Sequence, residues 1–249
     1  MKVFDTLLAI REKRGAGYFV LIDPDKQDIQ HAAKLAKTCE SAGVDALLIG
    51  GSLLLANVFD DTIKAIKKAC SLPVIIFPGS TKQISRQADA ILFLSLISGR
   101  NPESLIGGQV VAAPIIKSIN LEPISTGYMF IESGTVTSAL FMSDTRPIPW
   151  EKPDIAAAHA LAAQYLGMQC VYLEAGSGAK NSVPSQVIAA VRRYTTIPVI
   201  CGGGIRTPDE AREKVMAGAN FVVTGTIIEK DPNPALVKAF ADAIHVKES

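Results

Sequence analysis

The stretch VICGGGIRTPDEAREKVMAGANFVVTGTII, residues 199–228, contains two apolar runs that each end in glycine. A helix is predicted between them, because Thr207 suits the N-cap, Pro208 the first helical position, and Glu210 completes a capping box. Gly218 suits the end of that helix. The stretch therefore predicts a strand, a helix and a second strand, which is the repeating unit of a parallel α/β fold.

The same unit recurs along the chain. SLPVIIFPGS (71–80) resembles TIPVICGGGI (196–205), and AGVDALLIGG (42–51) resembles AGANFVVTGT (217–226). Eight apolar runs are nearly continuous, which is typical of strands buried on both faces of a parallel sheet. These runs cover residues 18–23, 46–51, 73–79, 90–98, 127–133, 170–176, 198–204 and 221–228. With helical stretches between most of them, they predict one α/β domain over residues 1–249, a (β/α)8 or TIM barrel.

Two segments depart from the regular repeat. Only about ten residues separate the third run from the fourth, too few for a helix with two loops, so we expect a degenerate third crossover. The longest segment without an assignment is 134–152. A loop of that length in a compact domain is usually functional or mobile.

Composition narrows the classes of function. Hydrophobic residues make up 48% of the 249 and the mean hydropathy is +0.26, so the chain needs a sizeable core. The net charge of +1 offers no basic face for nucleic acid. No apolar run reaches the roughly 18 residues of a membrane helix. The four cysteines lack metal-ligand spacing, and buried, reduced thiols fit a cytoplasmic protein.

Glycine at the ends of neighbouring strands indicates an anion site. In a TIM barrel the site lies at the carboxyl ends of the strands, and the loops after strands seven and eight often bind phosphate. Backbone N–H groups of such turns can hold an anion without lysine. The loop EAGSGAKNS (174–182) adds glycines beside them. The predicted phosphate pocket comprises Gly176, Ser177, Gly178, Gly202, Gly203, Gly204, Gly225 and Thr226.

A different kind of anion site is predicted across the barrel mouth, after strands one and two. LIDPDKQD (21–28) places Asp23 at the end of the first strand, and Ser52 follows the second. A carboxylate and a hydroxyl suit Mg²⁺, which takes oxygen ligands and keeps several waters. Between the two sites, the ends of strands three and four bring apolar side chains to the rim, where a long hydrocarbon would fit. These side chains are Phe77, Pro78, Leu94, Leu96 and Ile97.

A family resemblance rests on motifs spread over most of the chain. LIDPDK, IGGS, FPGS, LSLISGRNPESLIGGQ, YLEAGSGA and GGGIRTPDEAREKVMAGANFVVTGT together resemble the geranylgeranylglyceryl phosphate synthase family, to which bacterial heptaprenylglyceryl phosphate synthases are related. The resemblance implies a prenyl transfer in which the primary hydroxyl of sn-glycerol 1-phosphate attacks a polyprenyl diphosphate, here geranylgeranyl diphosphate, and pyrophosphate leaves. One subgroup carries a lysine where this chain has Leu21, so the chain is closer to the archaeal and Bacteroidetes-like subgroup.

The resemblance also implies roles for individual residues. Glycerol phosphate would contact Tyr172, Leu173, Glu174, Ala175, Gly176, Ser177, Gly178, Gly203, Gly204, Gly225 and Thr226. Asp23 and Ser52 would hold Mg²⁺ on the diphosphate. Glu174 is the candidate base and Tyr172 the residue that orients the glycerol. Relatives form dimers or hexamers, so a homo-oligomer is expected, with peripheral access to a membrane for its lipid product and no nucleic-acid partner.

Two other functions stay open at this stage. A sugar-phosphate isomerase of amino-acid biosynthesis would need a second acid or base after strand five, where Glu132 is available, and would not need an apolar rim. A non-catalytic glycerol-phosphate sensor would keep the glycine loops but would need neither the metal residues nor Glu174.

Overall fold

Eight parallel strands close into a barrel in the computed structural model, which describes residues 2–247. Each strand pairs with the next in sequence, and β8 pairs with β1. The strands are β1 Gly17–Ile22, β2 Ala46–Ile49, β3 Val74–Ile76, β4 Ala90–Leu96, β5 Glu122–Phe130, β6 Cys170–Glu174, β7 Val199–Gly202 and β8 Phe221–Thr224. The predicted TIM barrel is confirmed. The single-domain assignment extends to residues 1, 248 and 249, which lie outside the described residues.

Helices surround the barrel. Those within residues 2–247 are α1 Val3–Arg14, α2 Ile29–Ser41, α3 Phe59–Ala69, a π-helical turn Glu103–Gly107, α4 Gly108–Ser118, α5 Ser138–Met142, α6 Pro153–Tyr165, α7 Ser185–Tyr194, α8 Pro208–Met216, α9 Thr226–Lys230 and α10 Pro234–Ile244. Helix α8 begins with the predicted capping box, in which the Thr207 hydroxyl accepts the Glu210 N–H at 3.2 Å. The segment quoted first therefore folds as predicted.

The strands are buried on both faces because the molecule has two apolar cores. Alternate side chains of β1, such as Tyr18 and Val20, pack outward against the helices, whereas Phe19 points into the barrel. Helix α1 lies across the amino ends of the strands, and its Phe4 and Leu7 join the interior core. This arrangement explains why the apolar runs do not alternate with polar residues.

The third crossover lacks a helix, as predicted. Residues 77–89 run from β3 to β4 as turns and irregular chain. Strand β3 is only three residues long, and β4 pairs with it only at Ala90 and Ile91. Residues 92–96 of β4 therefore have no strand partner on their β3 side. We call this opening the wall gap.

One predicted strand boundary was wrong, and one segment left without an assignment contains regular structure. Strand β5 begins at Glu122, five residues before the predicted run, because the polar and proline-containing segment 122–126 pairs with β4 throughout. The segment 134–152 is not a plain loop, since it contains helix α5 and a bridge from Ile131 to Ile148.

All four cysteines are buried free thiols, as expected for Cys170 and Cys201. The cytoplasmic location stays a prediction. Among residues 2–247, no helix combines the length and hydrophobicity needed to cross a bilayer.

Candidate active site

A cavity of about 890 Å³ opens at the carboxyl ends of the strands. It has a polar part, under the loops after β6, β7, β8 and β1, and an apolar part beside β3, β4 and α4. Most of the predicted site residues line it. They are Asp23, Ser52, Tyr172, Glu174, Ser177, Gly178, Gly203, Gly204, Gly225 and Thr226.

Four residues predicted for the substrate site do not line the cavity: Leu173, Ala175, Gly176 and Gly202. Side chains alternate along a strand, so when Tyr172 and Glu174 point inward, Leu173 and Ala175 point outward into the core beneath the helices. Gly176 is not at the cavity surface either, although its N–H donates to the Glu174 carboxylate at 2.5 Å.

Glu174 is the buried acid of the site. Only 5% of its surface is exposed. Burial raises the pKa of this carboxyl to about 7, against the lowering effect of hydrogen bonds from the Gly176 N–H and the hydroxyls of Tyr172 and Tyr128. A carboxylate whose pKa lies near neutral pH is suited to accept a proton.

Tyr128 on β5 is a site residue that sequence reasoning missed. Its ring packs edge-on against Tyr172 with centroids 5.5 Å apart, and Phe77 stacks on Tyr172 at 5.0 Å. Burial raises the pKa of both tyrosines well above the usual value. Both hydroxyls therefore stay protonated and act as donors to Glu174. The sequence signal was weak, because Tyr128 lies within an apolar run.

Two of the three consecutive glycines at the end of β7 leave space for neighbouring side chains. A Cβ atom at Gly202 would overlap the Tyr172 hydroxyl, and one at Gly203 would overlap the Glu174 carboxylate. Gly203 also has a φ of +84°, which favours glycine. Gly202 and Gly203 therefore make room for the two candidate catalytic side chains, and Gly203 also lines the cavity.

The two predicted anion sites are neighbours, contrary to the expectation that they lie on opposite sides of the mouth. Closure of the barrel sets β1 beside β8. The Lys26 ammonium lies 3.3 Å from Asp23 Oδ2 and 3.5 Å from Ser177 Oγ, so one cation spans both sites. The Ser177 and Thr226 hydroxyls, 3.0 Å apart, join the loop after β6 to the one after β8.

Glu229 supports the end of β1 from helix α9. Its Oε1 accepts the Asp23 N–H at 2.8 Å, and its Oε2 lies 3.5 Å from the Lys26 ammonium. Burial raises the pKa of this carboxyl above the usual value. Sequence reasoning missed Glu229, because this residue lies in α9, one helical turn after β8, and not at the end of a strand.

The apolar part of the cavity passes through the wall gap. Inward side chains Leu94 and Leu96 and outward side chains Ile91 and Phe93 of β4 all line it. Helix α4 forms the outer side with Ala112 and Ile116, and Phe77 and Pro78 are at the rim as predicted. Ile97 was predicted there but packs outside the barrel, near Gly127 and the core beneath the helices.

Glu132, the second acid predicted for an isomerase, is exposed and does not line the cavity. The polar part thus contains one buried carboxyl, Glu174, next to a channel of apolar side chains. This combination disfavours proton shuttling between two bases and fits a substrate with a long hydrocarbon.

Comparison with known proteins identifies the family. The model of the PcrB family matches residues 8–244. The chain belongs to the PcrB family. A similar curated member, geranylgeranylglyceryl phosphate synthase of Chitinophaga pinensis, is 44% identical over 98% of this chain and 96% of its own. The synthase of Thermococcus gammatolerans is 50% identical over 86% of this chain and 84% of its own.

A solved structure with similar sequence shares the whole fold. The crystal structure of (S)-3-O-geranylgeranylglyceryl phosphate synthase from Thermoplasma acidophilum, in complex with its substrate sn-glycerol-1-phosphate, superposes with a TM-score of 0.94 at 37% identity. It covers 98% of this chain and 99% of its own. The resemblance found in the sequence motifs is therefore confirmed.

Proposed function

We propose that this chain is a prenyltransferase that joins sn-glycerol 1-phosphate to geranylgeranyl diphosphate through an ether bond. The names of its PcrB-family relatives and the glycerol-1-phosphate complex of one of them support this function. The observation that carries it is the placement of Glu174 within one cavity that joins glycine-rich loops to an apolar channel.

Glycerol phosphate binds under the loops after β6, β7 and β8. Gly204, Gly225, Ser177 and Thr226 line this part of the cavity, and they offer backbone N–H groups and two hydroxyls. Such groups hold phosphate oxygens without a dedicated lysine. The glycerol hydroxyl then lies toward Glu174 and Tyr172 in the floor of the cavity.

In the reaction the primary hydroxyl oxygen forms a bond to C1 of the prenyl group. The bond from C1 to the diphosphate oxygen breaks, and pyrophosphate leaves with the electron pair. Glu174 accepts the hydroxyl proton, while the Tyr172 and Tyr128 hydroxyls orient its carboxylate. The apolar channel through the wall gap holds the hydrocarbon and keeps water from the allylic carbon.

Asp23 and Ser52 fit a magnesium site that relies on substrate for its other ligands. Both line the cavity, and Gly51, next to Ser52, lies against the Asp23 carboxylate. Oδ1 of Asp23 accepts the Asp25 N–H at 3.1 Å, and Oδ2 lies 3.3 Å from the Lys26 ammonium, so Mg²⁺ would compete with Lys26 for Oδ2. Among residues 2–247 no cluster of three or more His, Cys, Asp or Glu side chains surrounds a metal position. Mg²⁺ is commonly held by one or two carboxylates, waters and phosphates, and here it would neutralise charge on the departing pyrophosphate.

Purified protein with labelled glycerol phosphate, a series of prenyl diphosphates and Mg²⁺ tests the function. We expect an ether product and pyrophosphate in equal amounts, and thermal stabilisation by each substrate. Stabilisation by glycerol phosphate with no product under any condition would support the sensor instead. Light scattering of the same sample tests the expected homo-oligomer, and vesicle sedimentation tests the expected peripheral access to membranes; both stay predictions.

Asp23→Asn tests the metal site. The substitution keeps the size and removes the charge that attracts Mg²⁺, so turnover should fall by about 100-fold or more. Glycerol phosphate affinity should change less than turnover, because Asp23 is linked to the phosphate loops indirectly, through the Lys26 ammonium. Direct Mn²⁺ binding in the presence of pyrophosphate provides a readout besides activity.

Asp28→Asn is the matched control for this prediction. Asp28 is exposed and caps helix α2 by accepting the His31 N–H at 2.9 Å, outside the cavity. It should leave metal binding and turnover unchanged. Full Mg²⁺-dependent turnover of Asp23→Asn would move the metal site elsewhere.

A further inference from the structure

The loop that carries Ser52 is held in place by side chains. Within the described part of the chain, no backbone–backbone hydrogen bond outside the helices and strands involves residues 51–57, which we call the Ser52 loop. Its two ends are attached by side chains instead: Gly51 contacts Gln83, and the Leu55 N–H donates to Asp25. A Cβ atom at Gly51 would lie 2.9 Å from Asp23 Oδ1, so the loop rests against Asp23.

Gln83 makes the more extensive of these attachments. Its side-chain Nε2 donates to the Gly51 carbonyl at 2.7 Å. Its Oε1 accepts the N–H groups of Gly79, at 3.2 Å, and Gly51, at 3.3 Å. Only 1% of Gln83 is exposed, although it borders the cavity. A buried amide with all these partners fixes the distance between the loops after β2 and β3.

The position of Gln83 follows from the missing helix. Gln83 lies in the third crossover, residues 77–89, where a regular barrel would place a helix behind the strands. A Cβ atom at Gly79 would overlap the Gly51 carbonyl, so the two loops lie too close together for a larger residue at position 79. The side chain of Gln83 therefore provides a connection that neither a helix nor strand pairing provides here.

We propose that Gln83 is a positioning residue for the diphosphate end of the prenyl donor, acting through the Ser52 loop. This inference rests on the proposed function and deepens it. Gln83 keeps Ser52 beside Asp23, so that hydroxyl and carboxylate face the same diphosphate. Glycerol phosphate binds to other loops and does not depend on Gln83.

Gln83→Leu tests the proposal, with Gln83→Glu as a second variant. Leucine keeps most of the volume and removes every hydrogen bond. Amide exchange of residues 51–57 should become faster, and the KM for prenyl diphosphate and the half-saturating Mg²⁺ concentration should rise roughly tenfold or more. The Kd for glycerol phosphate should change less than twofold. The Gln83→Glu variant retains the acceptor for Gly51 and Gly79 but sets a buried carboxylate oxygen against the Gly51 carbonyl, so its effects should be at least as large as those of leucine.

Gln164→Leu is the matched control. Gln164 Oε1 accepts the Thr196 N–H at 2.7 Å, ahead of β7 at the amino ends of the strands. This variant should share any general loss of stability and show neither kinetic change. Unchanged exchange of residues 51–57 in a folded Gln83→Leu protein, or equal weakening of both substrates, would overturn the proposal.

A wild-type control separates the two levels of inference. If the wild-type protein neither forms product nor protects residues 51–57 from exchange when prenyl diphosphate and Mg²⁺ are added, the proposed function fails irrespective of Gln83. If the wild type is active and Gln83→Leu has the same kinetic constants and exchange, only the positioning role fails.

Discussion

At the residue scale, Glu174 dictates what its neighbours can be. Its carboxylate occupies the space in which a side chain at Gly203 would lie, and it accepts the Gly176 N–H. Two tyrosine hydroxyls complete its surroundings. The glycine-rich loops that resemble ligand-binding turns therefore also leave space for a buried acid.

Glu174→Gln should abolish a pH dependence as well as lower turnover. The pKa of this carboxyl is raised to about 7. Wild-type turnover should fall as pH decreases through 7, because the protonated acid cannot accept the hydroxyl proton. The variant should lose about 100-fold or more in kcat and lack this ionisation. Because the substrate phosphate titrates in both proteins, the ratio of the wild-type pH profile to the variant pH profile cancels its contribution. An identical pH profile in the variant would assign the proton to another acceptor.

The same Glu174→Gln variant should show that ionisation of Glu174 lowers the free energy of unfolding. A carboxyl whose pKa is higher in the folded state than in the unfolded state destabilises the fold progressively as pH rises from its usual range toward 7. Glutamine lacks this ionisation. The free energy of unfolding of Glu174→Gln, measured relative to wild type in urea, should therefore increase between pH 5 and pH 8.

At the scale of elements, the proposed binding of the prenyl hydrocarbon depends on the wall gap between β3 and β4. The gap follows from a strand of three residues and a crossover without a helix, and α4 forms its outer side. A hydrocarbon bound in this channel would contact both faces of β4. Donor length should therefore depend on the side chains that α4 presents there.

Ala112→Phe should shorten the accepted donor. Ala112 is buried on α4 and lines the channel. A phenyl ring there fills space, so kcat/KM for geranylgeranyl diphosphate should fall by about tenfold or more, while that for geranyl diphosphate stays within a few-fold. Ala113→Phe, on the exposed side of the same helix, is the control. Equal effects on both donors would place the hydrocarbon elsewhere.

Sequence reasoning predicted the elements better than their contacts. The eight strands, the capping box of α8 and the helix-free third crossover follow from local patterns, and Asp23 and Glu174 are recognisable because they follow or end a strand. Strand β5 was predicted to start too late because Pro123 and its polar neighbours hide a strand whose register is set by β4. Tyr128, Glu229 and Gln83 depend on packing between distant segments, which no local pattern reports.

At the scale of the whole molecule, α1 closes the amino end of the barrel. The Glu122 carboxylate, at the start of β5, accepts the N–H groups of Val3 at 2.6 Å and Phe4 at 3.1 Å. An acidic side chain at the first turn of a helix stabilises its unpaired N–H groups. The beginning of the described chain is thus attached to the middle of the sequence.

Glu122→Ala should destabilise the fold without altering the site. Two helix N–H groups lose their acceptor, which should cost about 1–2 kcal/mol of unfolding free energy. KM values for both substrates should not change, because the cavity is at the other end of the barrel. Glu122→Gln keeps an acceptor and should lose less. A large change in KM for Glu122→Ala would show that α1 is coupled to the cavity.

The position of the last described residues has a practical consequence. The Lys247 N–H donates to the Arg14 carbonyl at 3.0 Å, so this segment meets the end of α1 just ahead of β1. Both described ends of the chain therefore lie at the face of the barrel away from the cavity. A bead, an electrode surface or a fused carrier protein attached at either end would leave the cavity facing outward, open to substrates from the free side.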